Sequence, residues 1–228
     1  TAEGGAIQIW DLVDGLEARD TFSGRYPAAP FDAIDSEAIQ REVEALTHEC
    51  EDNYRITVNV VTPSAHVTEL RCGETSFLEL VATAPVRVHL GGTPLPDYAG
   101  ASVEETWQHV LAQVALLDPD MAVSRIDVDD EQVGIWLAEH SATNDCLPSM
   151  SIARDGSEAG WACWSSARGP AIPLGGTTAA ELAQLQRDVM TEAGIVGTDG
   201  LEATIDVANG VPALAVRQGP LGAEAPLR

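Results

Sequence analysis

The chain of 228 residues carries 36 acidic against 12 basic side chains, a formal net charge of −24, and all the basic residues are arginine. Such an acidic surface repels phosphate backbones and anionic lipid headgroups, which excludes nucleic-acid binding and electrostatic membrane docking. The lack of lysine removes Schiff-base chemistry, a pyridoxal-phosphate anchor and the Walker lysine, while 45% apolar residues suffice for a folded core.

Residues 1–30 read as an N-terminal arm whose apolar patch at Ile7, Ile9, Trp10, Leu12 and Val13 fits a strand and a helix equally well. From Ser36 the apolar positions Ile39, Val43, Leu46 and Cys50 recur at steps of four, three and four, one face of a helix. Tyr54 to Thr62 alternates like a strand, with Ile56, Val58 and Val60 on one face. A turn at Pro63-Ser64-Ala65 then returns a strand through Leu70 and Cys72, with Val58 opposite Leu70 and Ile56 opposite Cys72. Phe77 to Ala82 and Val86 to Leu90, around Pro85, extend that sheet, so residues 31–95 form a first unit of helix plus hairpins.

Ser102-Val103-Glu104-Glu105 is a capping box, since serine and glutamate three residues apart satisfy each other's backbone donors. It opens a helix with Val103, Trp107, Val110, Leu111, Val114 and Leu117 on its apolar face, stopped by Asp118-Pro119. Strands Ala122 to Val128 and Val133 to Glu139 follow, then a hairpin of Met150 to Arg154 with Gly160 to Ser165 turning near Asp155-Gly156. A second capping box, Thr178 to Glu181, opens a helix through Leu182, Leu185 and Val189 that stops at Gly194. Asn209-Gly210 is the preferred two-residue hairpin turn and sets Ile205 opposite Leu214, Ala203 opposite Val216 and Glu202 opposite Arg217. Residues 96–218 thus hold second and third units, and residues 219–228, rich in Gly, Ala and Pro, read as a frayed tail or linker. The helix starts are too unevenly spaced for a true repeat. The expected class is α+β: antiparallel sheets of β-hairpins with three helices packed on one face, as one domain or two related lobes dividing between Gly91 and Gly100.

None of the four cysteines, Cys50, Cys72, Cys146 and Cys163, stands in a Cys-x-x-Cys pair, and three pairings exist. Each near pair brackets a hairpin, which favours Cys50–Cys72 and Cys146–Cys163, each worth roughly 3 kcal/mol by loop closure. Such pairing implies an oxidising, extracytoplasmic setting, secreted or anchored at the outer face of the cell membrane. The chain contains neither a signal peptide nor an apolar run long enough for a membrane span, which leaves room for an export signal, lipid anchor or membrane helix ahead of Thr1. The alanine-rich, lysine-free composition fits a high-GC bacterium.

No motif calls for a cofactor or a metal. His48, Cys50, His66 and Cys72 converge if the first hairpin meets its helix, but thiolate ligation and a disulfide exclude each other, and the spacing matches no zinc module. Read as a calcium loop from Asp127, the acidic segment through Glu131 has Gln132 where glycine is required and Ala138 where a bidentate glutamate belongs. Nucleophile elbows and His-Glu-x-x-His helices are missing, and Ser165, Ser166, His89 and His140 are catalytic candidates only by lying at strand ends. The tryptophans say more. Alternation puts Trp136 on the face of its strand opposite Val133, Ile135 and Leu137, and puts Trp164 opposite Trp161 and Cys163. An outward ring among small residues is a stacking platform or a partner anchor. The expected function is therefore a non-catalytic extracytoplasmic binding domain using Trp136 and Trp164 to hold a protein partner or envelope ligand. A hydrolase using carboxylate or Ser-His chemistry and an acidic inhibitor that mimics nucleic acid are the alternatives.

Overall fold

A computed structural model of the chain describes residues 6–12, 16–23, 36–50, 53–62, 65–76, 79–82, 86–138, 147–164 and 170–227. For residues 6–12, 16–23, 36, 53, 60, 74–76, 79–82, 147, 163 and 164 the description is of the backbone alone. The N-terminal arm is a hairpin of β1 (Ala6–Leu12) and β2 (Leu16–Ser23).

Helix α1 (Ser36–Thr47) and strands β3 (Asn53–Thr62) and β4 (Ala65–Ser76) form the first unit. The hairpin departs from the expected register, because it closes with Thr62 opposite Ala65 and bulges between Val60 and Thr62. Val58 consequently faces Thr68 and Ile56 faces Leu70. The difference is two residues, which preserves the pleat, so the same side chains meet the helix and the apolar pattern alone cannot tell the registers apart. Strands β5 (Glu79–Ala82) and β6 (Arg87–Leu90) lie end to end along the other edge of β4, and β7 (Thr93–Pro94) pairs with β6. Val43 and Leu46 of α1 pack on Ile56, Leu70 and Cys72 in a small separate core. The Cys50–Cys72 disulfide closes its end, with Cα atoms 5.4 Å apart. The expectation of Cys146–Cys163 pairing lies outside the described residues.

The remaining elements build a second sheet of eight antiparallel strands. They are α2 (Val103–Leu117), β8 (Ala122–Val128), β9 (Gln132–Leu137), β10 (Leu147–Ala153), β11 (Ala159–Trp164), β12 (Ile172–Pro173), α3 (Ala179–Ala193), β13 (Glu202–Ala208), β14 (Val211–Gln218) and β15 (Leu221–Pro226). The strand order is β11-β10-β9-β8-β13-β14-β15, with β12 also on β8. Both capping boxes form as expected, and Gly194 ends α3 in the left-handed conformation. The β13–β14 register is the expected one, with Asn209 and Gly210 both at positive φ as a primed turn demands. Residues 219–227 are not a frayed tail. Leu221 to Pro226 pair along β14, with Ala223 and Ala225 packed against the core. A Gly219-Pro220 turn followed by alternating small residues is a strand signal of low hydrophobicity, which composition misreads as linker.

The α+β class is therefore realised, with the three described helices divided between the sheets. Helices α2 and α3 pack together on the large sheet, joined by a hydrogen bond of 2.7 Å from Trp107 Nε1 to Gln186 Oε1. Helix α1 covers one face of the small sheet, while Val61, Val67, Val88 and Leu90 of that sheet belong to the main core with α2. Among the described residues no helix is long and apolar enough to cross a membrane.

Candidate functional site

Glu42 follows Ile39 by three residues and precedes Leu46 by four, so it shares the buried face of α1. Below it, His66, Thr68, Leu70 and Cys72 alternate along β4, and the β4–β6 register sets His89 beside Thr68. The face that is apolar at Leu70 thus turns polar at its other end. Three titratable side chains from three elements converge there, with 9% of Glu42, 13% of His66 and 11% of His89 exposed. Glu42 Oε2 lies 2.6 Å from His66 Nε2, a charge-assisted hydrogen bond in which the ring N–H donates. Glu42 Oε1 lies 3.8 Å from His89 Nδ1, beyond hydrogen-bond reach.

Glu42 Oε1, His89 Nδ1 and Thr68 Oγ1 are buried without a hydrogen-bond partner, and the His89 ring hydrogen-bonds the Gly92 backbone. Burial pushes the His89 imidazole below its ordinary pKa, outweighing the pull of Glu42 and of the Gly92 backbone, and Arg87 adds to the lowering. At neutral pH His89 is therefore uncharged. The turn that closes the cluster favours glycine because Gly92 has φ +77°, a backbone conformation that strains a residue with a Cβ. Arg87 also forms an ion pair with Glu49, just beyond the end of α1.

The donors weighed for zinc have other fates. Cys50 and Cys72 are bonded to each other, His66 is engaged by Glu42, and His48 is exposed. Among the described residues no three or more His, Cys, Asp or Glu side chains are placed to share a metal ion. The acidic run after Asp127 serves structure: Asp129 Oδ1 accepts from the Glu131 and Gln132 amides at 2.8 Å, and Asp130 accepts from the Gly200 amide. His140, Ser165 and Ser166 lie outside the described residues. Glu42 and His66 meet between α1 and β4, each largely buried.

The outer face of the large sheet is different in character. Alternation places Arg125 and Asp127 of β8, Gly134 and Trp136 of β9, Thr204 and Asp206 of β13 and Arg217 of β14 on the side away from α2 and α3. The far edge of the Trp136 ring reaches over Gly134, and the Arg125 guanidinium stands 5.7 Å from the ring centre. Arg125 Nε donates to Asp127 Oδ2 at 2.7 Å, and Thr204 Oγ1 donates to Asp127 Oδ1 at 2.8 Å. Beside this network runs a cleft of about 160 Å³ lined by Arg125, Thr204, Asp206, Arg217 and Glu224. Trp164 stands opposite Leu147 in register, and its side chain lies outside the described residues.

A Cβ on Gly134 would lie 2.6 Å from the Trp136 ring, so Gly134→Ala must push the indole off the sheet. The expected cost is roughly 1–3 kcal/mol, or about 2–12 °C in melting temperature for a chain of this length. Gly175→Ala, which meets nothing within 4 Å, is the control and leaves the melting temperature unchanged. Equal melting of the two variants would show that the ring does not rest on Gly134.

The sequence reading missed Glu42. Its signal was a carboxylate inside an apolar helical stripe, facing a strand that carries a histidine. Comparison with known proteins finds no matching family model, no matching curated protein and no matching solved structure.

Proposed function

We propose that the chain is a non-catalytic binding domain of an exported bacterial protein, secreted or held at the outer face of the cell membrane. It recognises a protein partner through the outer face of the large sheet. The observation that carries this reading is the make-up of that face, where Trp136 and Arg125 stack over Gly134 beside a cleft bearing Arg217, Asp206 and Glu224. Tryptophan and arginine are the side chains that most often anchor protein interfaces. Small neighbours such as Ala213 and Ala215 let a partner approach the backbone, and the mixed charges supply register rather than bulk attraction. The Cys50–Cys72 disulfide is compatible with an oxidising compartment.

The test presents immobilised wild type, Trp136→Ala/Arg217→Glu and a control, Arg187→Ala on the exposed side of α3, to envelope extract of the source organism. The reading expects a protein retained by wild type and control but reduced about 10- to 30-fold on the double variant, as for loss of interface anchors. Equal retention on all three overturns it. Retention of peptidoglycan fragments with the same dependence transfers the face to an envelope ligand.

A further inference from the structure

We propose that Glu42, His66 and His89 form an acid-operated latch: it holds α1 on the small sheet at neutral pH and lets the helix lift, still tethered through Cys50–Cys72, when the surroundings turn acidic. The inference is independent of the large-sheet face and rests on three features of the α1 side.

First, the described contacts fasten α1 at its C-terminal end and at its middle. Its buried contacts form a core of their own, Val43 and Leu46 on Ile56, Leu70 and Cys72, separate from the main core. The disulfide and the Arg87–Glu49 pair hold the C-terminal end, and the Glu42 carboxylate holds the middle of the helix. Regions with few buried apolar contacts open locally at a fraction of the global cost.

Second, the cluster is left with matching acceptors. His89 uses one ring nitrogen toward the Gly92 backbone, and its Nδ1 faces Glu42 Oε1 at 3.8 Å, with Thr68 Oγ1 also unpartnered and buried. Protonation would give Nδ1 a donor facing Glu42 Oε1, so that pair favours the imidazolium, and what opposes it is the hydration lost by a ring only 11% exposed.

Third, the groups around His89 give the sign. From α1 it faces Glu42, and from β4 its neighbours are His66 and Thr68. From its own strand it faces Arg87, and from the adjoining turn the Gly92 backbone. Glu42 and Gly92 favour the imidazolium, Arg87 opposes it, and burial opposes it most. With the helix lifted, the ring is hydrated and takes its proton near its ordinary value. A histidine whose pKa is lower in the closed state contributes stability that is present above about pH 6.5 and is lost as pH falls toward the closed-state value. Through that window one proton raises the opening constant by up to about tenfold per pH unit.

Hydrogen exchange of the full oxidised chain, corrected for the chemical pH dependence of exchange, tests the latch on peptides covering Ser36–Thr47. The expected result is a three- to tenfold fall in α1 protection between pH 7 and pH 5.5, with α2 and α3 unchanged. His89→Gln keeps a donor for the Gly92 backbone but takes no proton, so its α1 protection should be equal at the two pH values. Flat protection of α1 in wild type, or the same fall in His89→Gln, overturns the latch. The wild-type histidine titration by NMR keeps the idea testable if that variant does not fold. A His89 midpoint below 6.5 supports it, and one at or above 6.5 sinks it.

Discussion

Trp107→Ala should lower the stability of the protein by about 3–5 kcal/mol, the largest loss expected from any single change to the main core. The ring is 1% exposed, sits on the apolar stripe of α2 and spans the gap to α3, where Nε1 donates to Gln186 Oε1 at 2.7 Å. Truncation opens a cavity at the α2–α3 contact and strands Gln186, itself buried, without its donor. For a chain of this length the loss corresponds to roughly 6–20 °C in melting temperature. Trp107→Phe separates the two contributions, because it keeps most of the volume and removes only the donor, at about 1–3 kcal/mol. If both variants melt together, the hydrogen bond and not the packing joins the helices.

Removing the disulfide as Cys50→Ala/Cys72→Ala should cost about 3 kcal/mol, the value expected for closing a loop with a sequence separation of 22 residues. The loss should be local. Cys72 belongs to the small core under α1, whereas Trp107, Val110, Ile135 and Leu214 belong to the main one. Proteolysis and hydrogen exchange should therefore report a weakened α1 and β3–β4 hairpin, while α2, α3 and β13–β14 keep most of their protection. Equal loss in both regions would mean that the two cores unfold as one cooperative unit, and the latch would then have no local opening to control.

How far these features were legible follows from the range over which each signal acts. The capping boxes at Ser102 and Thr178, the stop at Gly194 and the Asn209-Gly210 turn depend on residues within a few positions of one another, and all form as read. The β3–β4 register was misjudged by two because the bulge after Val60 leaves no mark on alternation. The last strand was misjudged because Leu221 to Pro226 gains its order from β14, not from its own hydrophobicity. Of the site, alternation alone placed Trp136 on the outer face, yet its rest on Gly134 depends on two side chains sharing one pleat. Spacing alone groups His66 with His48, Cys50 and Cys72, and nothing local ties it to Glu42, its partner in the structure.

By itself, then, the sequence determined the charge, the helices, most hairpins and the sidedness of the helices and strands, because capping, turn geometry and periodicity are local physics. It also favoured Cys50–Cys72, alongside Cys146–Cys163 outside the described residues, and the first joins a helix end to the strand packed under it. Only the tertiary structure decided that α1 owns a separate core, that Glu42 reaches His66 across 24 residues, and that His89 arrives beside them from a third element. Sidedness states which face of an element is buried. Which buried faces meet is settled by packing over long sequence distances, and there a carboxylate and two imidazoles become a single site.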